Sequence, residues 1–598
     1  MEHDRNFYDV VVIGAGGAGL RAAIEAHGAG AHTAIVCKSL LGKAHTVMAE
    51  GGIASAMGNV YPEDNWQVHF RDTMRGGKML NHWRMAQLHA QEAPERVREL
   101  EDWGALFDRT PDGLISQRDF GGHRYARLAH VGDRTGLELI RTLQQRVVDL
   151  GIDVFMECTV TRLLTGDNGI QGAFGYRRET GQFVSWQAPS VVLATGGIGK
   201  SYKVTSNSWE YTGDGHSLAM QAGATLVNME FVQFHPTGMV WPPSVRGILV
   251  TESVRGDGGV LKNSEGRRFM YDYIPEYFRS ETSESEEEGD RWYDDKKNNR
   301  RPAELLPRDE VARAINSEVK AGRGSPHGGV FLDIASRRST EYIRKRLPSM
   351  YHQFKELAEV DITAEPMEVG PTCHYVMGGV EVDPDTAAAK IPGLYAAGEV
   401  AGGMHGSNRL GGNSLSDLLV FGKRAGESAA AYALTHKNDS TQVSDEEFAD
   451  AGAFALAPLE RQGGENPYAI HAELQTAMND LVGIIRNAGE MQQALDTIEK
   501  LKERVRNLSV AGDRRYNPGW HLALDLPNML TVSECIAKAA LEREESRGGH
   551  TRDDFPTPTA EWGGLNVICS LDDASVSLAR QPLPQMPAEL ATFFEESK

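Results

Sequence analysis

The stretch YDVVVIGAGGAGLRAAIEAHGAG, from Tyr8 to Gly30, decides the fold of this chain. It opens with the β-branched and apolar run Tyr8–Ile13, passes through a glycine-rich turn, and continues with helix-forming residues from Ala18 to Ala26. Glycine allows a tight turn and a close approach of the backbone to a ligand, and the N-terminus of the following helix favours an anion. The stretch therefore predicts a buried strand, a glycine turn and a helix.

Further strand patterns indicate that this unit is interrupted. His32–Cys37 predicts a second strand, which completes a βαβ unit of about 30 residues. Two more strands are predicted far downstream, at Ser190–Gly197 and Gly393–Glu399. Because so much chain separates these strands, we expect a nucleotide-binding domain with an insertion that runs from about Gly238 to about Pro366.

The charge and the residue pattern of the chain change within and after the insertion. Glu281–Arg301 carries eight acidic and five basic residues, and we interpret it as a solvated surface loop. Helical periodicity follows after about Leu434 and is clearest in Leu474–Leu508. The residues after Arg547 are rich in Pro, Asp and Thr, which predicts an irregular tail.

The composition excludes several classes of protein. A length of 598 residues suggests about three or four domains. The net charge of −21 disfavours a large nucleic-acid surface. The five cysteines are scattered without a CxxC pair, so we expect no zinc or iron–sulfur site, no disulfide framework and a reducing compartment. The first apolar run starts at Val10 and none reaches about 18 residues, so we expect no targeting peptide and no membrane span.

The glycines of Gly14–Gly19 follow the G-x-G-x-x-G pattern of dinucleotide-binding turns. An NAD site expects an acidic residue about 20 residues later, at the end of the second strand. That strand ends here in Cys37–Ser39, without a carboxylate. Small-residue motifs follow at Ala194–Gly197, Thr212–Gly215 and Ala396–Glu399, and two of them supply a carboxylate that could bind a polyol. The sequence therefore favours FAD over NAD.

Six motifs occur in a characteristic order along the chain. They are KAHTVMAEGG (Lys43–Gly52), FHPTG (Phe234–Gly238), TESVRGDGG (Thr251–Gly259), LPRDEVAR (Leu306–Arg313), PTCHYVMGG (Pro371–Gly379) and HGSNRLGGNSL (His405–Leu415), with QRDFGG (Gln117–Gly122) and ESRGGHTRDDFP (Glu545–Pro556) extending the set. This order resembles the flavoprotein subunit of succinate dehydrogenase and quinol:fumarate reductase over nearly the whole chain. The chain departs from that family in Gly42-Lys43-Ala44, where Arg-Ser usually precedes the histidine, and in its longer charged stretch.

The resemblance implies an α/β fold with four parts. A Rossmann-type FAD-binding domain would comprise residues 1–236 and 367–435, interrupted by an α+β capping domain at residues 237–366. A helical domain would follow at residues 436–545, and an irregular C-terminal tail at residues 546–598. The resemblance also implies that the capping domain is a mobile lid over the flavin.

The same resemblance implies covalent FAD, attached through His45. A ring nitrogen can attack the electrophilic 8α carbon of the flavin, and the linked flavin of the family has the raised potential that succinate oxidation requires. The other cofactor-binding residues that it implies are Gly14, Ala15, Gly16, Gly17, Ala18, Gly19, Cys37, Lys38, Ser39, Thr46, Gly51, Gly52, Phe120, Asp214, Glu399, Ser414 and Leu415.

Succinate and fumarate are dianions, so their site needs fixed cations and hydrogen-bond donors in a water-poor cleft. The resemblance assigns the two carboxylates to His235, Thr251, His374 and Arg409. It assigns proton transfer to Arg308, with Glu252 and Arg255 as its relay, while a hydride passes between substrate and flavin.

A flavin that holds two electrons in a chain with no metal centre must pass them to a partner. The resemblance implies that the partners are an iron–sulfur subunit with one or more membrane anchor subunits, and the acidic charge implies no nucleic acid. We therefore expect a peripheral subunit on the cytoplasmic face of a bacterial cell membrane, serving the respiratory chain and the citric acid cycle.

Two alternatives share part of this pattern. L-Aspartate oxidase has the same fold and most of the substrate-site motifs, but its relatives lack the flavin-linking histidine, so His45 disfavours it. A catalytically silent FAD-binding assembly subunit would have no use for Arg308, His374 and Arg409 together with the glycine loops. We therefore expect an enzyme.

Overall fold

The fold is organised around a five-stranded parallel sheet. The computed structural model describes residues 3–436, 443–572 and 575–597. The strand order in the sheet is Leu394–Ala396, Ser190–Leu193, Val10–Ile13, Thr33–Val36 and Asp153–Phe155, with every neighbouring pair parallel. The first four of these strands are buried along their whole length, as expected of a parallel sheet covered on both faces. The four strands predicted from the sequence are confirmed, and the predicted helix runs from Gly17 to Gly28.

The other elements surround this sheet. The α-helices are Gly17–Gly28, Trp66–Gly76, Trp83–Asp102, Thr135–Asp149, Asp214–Gln221, Ser253–Gly256, Glu286–Trp292, Arg308–Lys320, Thr340–Arg346, Pro348–Ala358, Asn413–Thr435, Asp445–Glu460, Pro467–Leu481, Ala488–Val505, Pro518–Glu542 and Ala588–Ala591. The remaining strands are Asp4–Phe7, Ile53–Ala54, Gln117–Arg118, Leu128–Ala129, Cys158–Gly166, Gly169–Arg177, Phe183–Gln187, Leu226–Val227, Val232–Met239, Val260–Lys262, Val330–Asp333, Met367–Val376, Gly379–Val380, Ile485–Arg486, Thr551–Arg552, Leu565–Asp572 and Ser575–Pro582.

A separate four-stranded sheet carries the insertion. Its order is Val232–Met239, Met367–Val376, Val330–Asp333 and Val260–Lys262, and all neighbours are antiparallel. The insertion has its own apolar core, which includes Val250, Leu261, Phe269 and Ile315. The predicted boundary at 236/237 falls inside the first of these strands, and the boundary at 366/367 falls where the second begins. The division into domains at these positions stays a prediction, and residues 1–2, 437–442, 573–574 and 598 of the predicted domains lie outside the described residues.

The charged stretch Glu281–Arg301 is more ordered than a solvated loop. Its residues Glu286–Trp292 form a helix, which Ser285 caps by accepting a hydrogen bond from the Glu288 N–H. An acidic first turn favours this helix, and the Trp292 side chain is buried at its end. The interpretation of this stretch as a loop is therefore wrong for the helical residues.

The C-terminal tail also differs from the prediction of irregular structure. Leu565–Asp572 and Ser575–Pro582 form an antiparallel pair, and the first of these strands also pairs with Leu226–Val227. The Pro, Asp and Thr residues that suggested an irregular tail are concentrated in Asp553–Thr559, just before this pair. The apolar residues of Leu565–Asp572 that pack into the core decide the structure of the later part.

The region after the parallel sheet is helical, as predicted. Pro467–Leu481, Ala488–Val505 and Pro518–Glu542 pack on the same apolar core as the central strands. In the described part of the chain, no helix has the length and apolar character needed to cross a membrane.

Candidate active site

One large cleft lies between the glycine turn, the carboxyl edge of the parallel sheet and the insertion. Its volume is about 1540 Å³, including the open mouth. The predicted cofactor residues that line it are Gly14, Ala15, Gly16, Gly17, Ala18, Cys37, Lys38, Ser39, His45, Thr46, Gly51, Gly52, Phe120, Asp214, Glu399, Ser414 and Leu415. The predicted substrate and proton-transfer residues that line it are His235, Thr251, Glu252, Arg308, His374 and Arg409. Two predicted residues are not part of the lining: Gly19 packs beneath the turn, and Arg255 lies behind Glu252.

Two glycines of the turn, Gly14 and Gly19, leave no room for a side chain. Gly14 has a φ of +116°, and a Cβ there would overlap the carbonyl oxygen of Ala194 on the neighbouring strand. A Cβ at Gly19 would overlap the carbonyl oxygen of Gly14. The helix that follows begins at Gly17, and its N-cap residue Gly16 contributes no side-chain hydrogen bond. The turn therefore presents a helix N-terminus to the cleft at close range, which suits a pyrophosphate group.

Polar groups further along the cleft suit the hydroxyl groups of FAD. Asp214 begins a helix and forms an ion pair with Lys38, whose Nζ lies 2.5 Å from its Oδ2. Glu399 Oε1 accepts a hydrogen bond of 3.1 Å from the Val376 N–H, and burial raises the pKa of this carboxyl to about 8. The buried hydroxyl of Thr195 also lines the cleft and has no hydrogen-bond partner among the described residues. These groups, together with the glycine turn, fit an FAD molecule.

His45 opens a short 3₁₀ turn at the edge of the cleft. Its ring packs edge-on against Tyr211, with 4.8 Å between the ring centroids. The side-chain amide of Asn207 lies 3.4 Å from His45 Nε2, while Nδ1 is buried without a partner in the described part of the chain. Burial lowers the pKa of His45 to about 4, so its ring is neutral at physiological pH. A neutral imidazole keeps a lone pair that is available for bond formation.

Two further histidines face each other across adjacent strands. His235 and His374 belong to Val232–Met239 and Met367–Val376, and their ring centroids are 5.2 Å apart. His374 Nδ1 lies 2.8 Å from the hydroxyl of Ser206. Burial, followed by nearby guanidinium charge, lowers the pKa of both rings well below the usual value. Both are therefore neutral hydrogen-bonding groups in a cleft whose charge comes from arginine.

Arg409 is an almost fully buried cation in this cleft. Its Nη1 donates to Ser414 Oγ at 2.8 Å, and its Nη2 donates to Gln233 Oε1 at 3.1 Å. Its guanidinium lies 4.4 Å from the centroid of the Tyr375 ring. Burial, followed by the charge of Arg308, lowers the pKa of Arg409 to about 9. An anionic ligand would strongly stabilise a charge that burial and a neighbouring cation destabilise in this way.

Arg308, Glu252 and Arg255 form a chain of charges that leads away from the cleft. Arg308 is the first residue of its helix, and its Nε donates to Glu252 Oε2 at 3.1 Å. Arg255 Nη2 lies 3.7 Å from the same oxygen, and Gly121 N–H donates to Glu252 Oε1 at 2.9 Å. Burial opposes the charge of Glu252, but the two guanidinium groups and the Gly121 N–H hold its pKa below the usual range. Glu252 is therefore an anion fixed between two cations.

The structure also brings in residues for which no role was predicted. Gln233 Oε1 accepts from both Arg409 and Arg308, the latter at 3.4 Å, and so ties the two guanidinium groups together. Gln233 stands two residues before His235, so strand alternation was a signal that could have found it. Asn207 contacts His45 and donates to the His374 carbonyl oxygen at 2.9 Å, but it belongs to none of the motifs. Glu50 also lines the cleft, and burial raises its pKa well above the usual value.

Side chains of the types that bind metals are not grouped as a metal site in the described part of the chain. Within residues 3–436, 443–572 and 575–597, no group of three or more His, Cys, Asp or Glu side chains is placed to hold a metal ion. The five cysteines are buried and unbridged.

The first two-thirds of the chain match the family model described as FAD binding domain, over residues 9–415. Together with the cleft, this match defines the protein as an FAD-binding flavoprotein. Residues 471–590 match the model described as fumarate reductase flavoprotein C-term. The chain belongs to the family of succinate dehydrogenase and fumarate reductase flavoprotein subunits, as the resemblance predicted.

Known relatives are similar over almost their whole length. A fumarate reductase (CoM/CoB) polypeptide of Methanothermobacter marburgensis is 44% identical, over 94% of this chain and 97% of the relative. A structure of Mycobacterium smegmatis Sdh1 in complex with UQ1 is 63% identical and covers 99% of this chain and 97% of its own, with a TM-score of 0.87. A structure of Escherichia coli quinol fumarate reductase FrdA is 34% identical and covers 98% of each chain, with a TM-score of 0.90. These similarities confirm the predicted fold class.

Proposed function

We propose that this chain is the catalytic flavoprotein subunit of a succinate:quinone oxidoreductase, which interconverts succinate and fumarate. The observation that carries the proposal is the convergence of two arginines, the buried Arg409 and the Arg308 side chain, which is only 10% exposed, on the cleft that the glycine turn opens. A buried cationic cleft beside a flavin site suits a small dianion that exchanges a hydride with the flavin.

In this proposal the substrate carboxylates are held at two ends of the cleft. Arg409 offers a planar fork to one carboxylate, and its lowered pKa means that an anion restores the stability of its charge. His235, Thr251 and His374 donate neutral hydrogen bonds, so they orient the dianion without competing for its charge. When bound, FAD supplies the hydride-transfer chemistry. Phe120, which lines the cleft 5.9 Å from the Arg308 guanidinium, helps to exclude water.

Arg308 is the proposed proton donor and acceptor. During fumarate reduction, a guanidinium nitrogen of Arg308 donates a proton to the substrate carbon and leaves Arg308 neutral. During succinate oxidation, the neutral Arg308 removes a proton from the substrate and becomes a guanidinium again. The hydrogen bond from Arg308 Nε to Glu252 Oε2 gives the proton a path to or from Arg255, which lies behind the same carboxylate. Glu252 is ionised at rest because its neighbours hold its pKa low, and it balances the charge of Arg308. It is protonated only in passing, when it takes a proton from one guanidinium group and gives it to the other.

Covalent attachment of FAD through His45 is part of the proposal. His45 is neutral, buried at the edge of the cofactor cleft, and has one ring nitrogen without a partner among the described residues. The test is a denaturing gel under acid, on which the wild-type chain should show flavin fluorescence and His45→Ser should not. A wild-type band without fluorescence would contradict the covalent linkage. It would favour the alternative activity, that of an L-aspartate oxidase.

The partners of this chain in the proposed complex are an iron–sulfur subunit and a membrane anchor. An iron–sulfur subunit would accept the electrons, and a membrane anchor would hold this chain at the cytoplasmic face of the membrane and pass electrons to quinone. The relative named for CoM/CoB is less similar to this chain, at 44% identity, than the Sdh1 structure that contains UQ1, at 63%. This difference supports quinone as the electron acceptor.

The function is tested with the native complex, purified from membranes. Succinate should reduce a quinone dye, reduced dye should drive fumarate reduction, and an iron–sulfur protein should co-purify. L-Aspartate should not serve as substrate. A preparation that oxidises L-aspartate but not succinate would contradict the proposal, as would one that binds FAD and oxidises neither.

A further inference from the structure

Three buried histidines lie directly beneath the loop that follows Arg409. His69 and His89 project from the helices Trp66–Gly76 and Trp83–Asp102, and His123 ends the segment that begins at Gln117. The ring centroid of His69 is 5.0 Å from that of His89 and 6.0 Å from that of His123. All three side chains are at most 1% exposed, and none lines the active-site cleft. They are a cluster that the proposed chemistry does not use.

Each histidine directs its Nε2 at one point of the Gly411–Ser416 segment. His123 Nε2 lies 2.8 Å from the carbonyl oxygen of Gly411, and His69 Nε2 lies 3.0 Å from Asn413 Oδ1. His89 Nε2 lies 2.7 Å from Ser416 Oγ. A carbonyl oxygen can only accept a hydrogen bond, so His123 carries its proton on Nε2.

The other two rings have the same tautomer by the same reasoning. The amide nitrogen of Asn413 donates to Thr73 Oγ1, which leaves Oδ1 as the acceptor for His69. The hydroxyl of Ser416 is placed to donate to the Asn413 carbonyl at 3.2 Å, and in that orientation its oxygen accepts from His89. All three Nδ1 atoms are then bare acceptors, and none has a partner among the described residues. The cluster therefore directs its hydrogen-bond donors at a single loop and leaves three buried acceptors unsatisfied.

That loop and the segment ending at His123 carry opposite walls of the active site. Phe120 and Gly121 belong to the first wall, where the Gly121 N–H fixes Glu252. Arg409 and Ser414 belong to the second wall. The two meet at Gly411, where a Cβ would overlap the Phe120 ring and would lie 3.1 Å from Arg308 Nη2. The hydrogen bond from His123 to Gly411 is thus a direct tie between the wall that holds the proton relay and the wall that holds the carboxylate clamp.

We propose that His123 is a positioning residue of the active site, which acts through the Gly411 carbonyl to fix the distance between Arg409 and the Phe120–Glu252 wall. His69 and His89 support the same loop from below. The proposal rests on the proposed dicarboxylate function and adds to it a determinant of how tightly the dianion is held. Loss of this hydrogen bond should let the two walls separate. The affinity for dianions should therefore fall more than flavin content or stability.

The experiment compares His123→Leu with His123→Gln in the FAD-loaded protein with its partner subunits. Glutamine keeps an N–H donor that can reach the Gly411 carbonyl, whereas leucine fills the space without a donor. We expect His123→Leu to raise both the KM for succinate and the Kd for malonate about tenfold, with kcat falling less. His123→Gln should recover most of this loss. Should the leucine variant not accumulate, His123→Asn, one methylene too short to reach Gly411, takes its place in the same comparison.

His471→Leu is the matched control, because His471 Nε2 also contacts a backbone carbonyl, that of Lys200 at 3.0 Å, but lies outside the cleft. It should keep the wild-type KM and Kd. The proposal is overturned if His123→Leu, or His123→Asn in its place, stays within twofold of wild type in both constants. It is equally overturned if the glutamine variant is as impaired as the variant without the tie. Absence of succinate oxidation in the wild type would instead contradict the proposed function, while malonate binding still reports on His123.

Discussion

The cleft has two halves that are built by different means. The cofactor half begins at the glycine turn, which is made of backbone: Gly14 and Gly19 pack so closely that neither tolerates a Cβ, and the helix N-terminus at Gly17 supplies the polarity. The substrate half is made of side chains, above all the guanidinium groups of Arg308 and Arg409. The glycine turn of the first half comes from one continuous stretch, Gly14–Gly19, whereas the charged groups of the second half come from segments scattered over the chain.

This difference predicts which substitutions should be most damaging in each half. In the cofactor half, adding one carbon atom to a glycine should be more damaging than changing a side chain. In the substrate half, backbone geometry matters less than the number and placement of buried charges, since every cation there is desolvated and needs a partner. The predictions below test this contrast, from the largest expected effect to the smallest.

The largest effect is expected from Gly14→Ala. The new Cβ would overlap the carbonyl oxygen of Ala194, and the φ of +116° is strained for any residue with a side chain. We expect the purified protein to lack bound flavin and therefore all turnover, as measured by flavin absorbance per chain. Gly28→Ala is the matched control. Gly28 ends the helix that follows the turn, and a Cβ there would meet no described atom within 4 Å. Full flavin content in Gly14→Ala would break the contrast between the two halves.

Arg308→Ala should come next. It removes the proposed proton donor but leaves Arg409 in place, so turnover should fall about a thousandfold in both directions, within the range for loss of an acid–base group. Flavin content and binding of oxaloacetate should change little. The measurement is steady-state turnover with succinate and with fumarate, alongside an oxaloacetate titration. Arg300→Ala, a surface residue of the charged stretch, is the control. Substantial succinate oxidation by Arg308→Ala would remove Arg308 from the mechanism.

Arg409→Ala should lower kcat/KM about a hundredfold, which corresponds to about 3 kcal/mol of lost transition-state stabilisation. Arg409→Lys, which keeps the charge but not the fork, should lie between the alanine variant and wild type. Because the pKa of Arg409 is lowered to about 9, its positive charge is present below that pH and is lost as the pH rises through it. The kcat/KM of the wild type should therefore decline above about pH 9, and Arg409→Ala should lack this decline. Unchanged malonate affinity in the alanine variant would show that Arg409 is not a carboxylate clamp.

Glu252→Gln should have the smallest effect, a loss of about tenfold in kcat. The amide still accepts a hydrogen bond from the Gly121 N–H but no longer balances the charge of Arg308. The pKa of Glu252 is held below its usual range, so its anion is present at neutral pH and is lost as the pH falls through that lowered pKa. Wild-type activity should therefore fall only at a pH below the usual carboxyl range, and the glutamine variant should not show that loss. A pH profile with an identical acid limb in both proteins would exclude Glu252 from the relay.

The contrast also explains which parts of the molecule could be predicted from the sequence. The strand, turn and helix at Val10–Gly28 depend on neighbouring residues, so local periodicity was sufficient. Most residues of the six ordered motifs that were assigned to the site meet in one cleft, but only the structure reveals that Gln233 joins Arg308 to Arg409. Asn207 reaches His45 across 162 positions of sequence, and no local pattern encodes such a contact.

The two regions where the predictions were wrong have a common cause. Trp292 and the apolar face of Leu565–Asp572 are short signals inside stretches whose charged or Pro-rich composition is typical of exposed loops. Composition averages over a window, whereas one buried tryptophan or one strand that pairs with Leu226–Val227 determines the structure. Such elements are stabilised by tertiary contacts, which a single sequence does not reveal.

The central claim is that one cleft holds FAD and a four-carbon dianion together, and an anaerobic titration of the FAD-loaded protein tests it most directly. Succinate should bleach the flavin absorption band stoichiometrically, fumarate should restore it, and malonate should slow both changes by competing for Arg409. A flavin that a chemical reductant bleaches but that neither succinate nor fumarate affects would contradict the account.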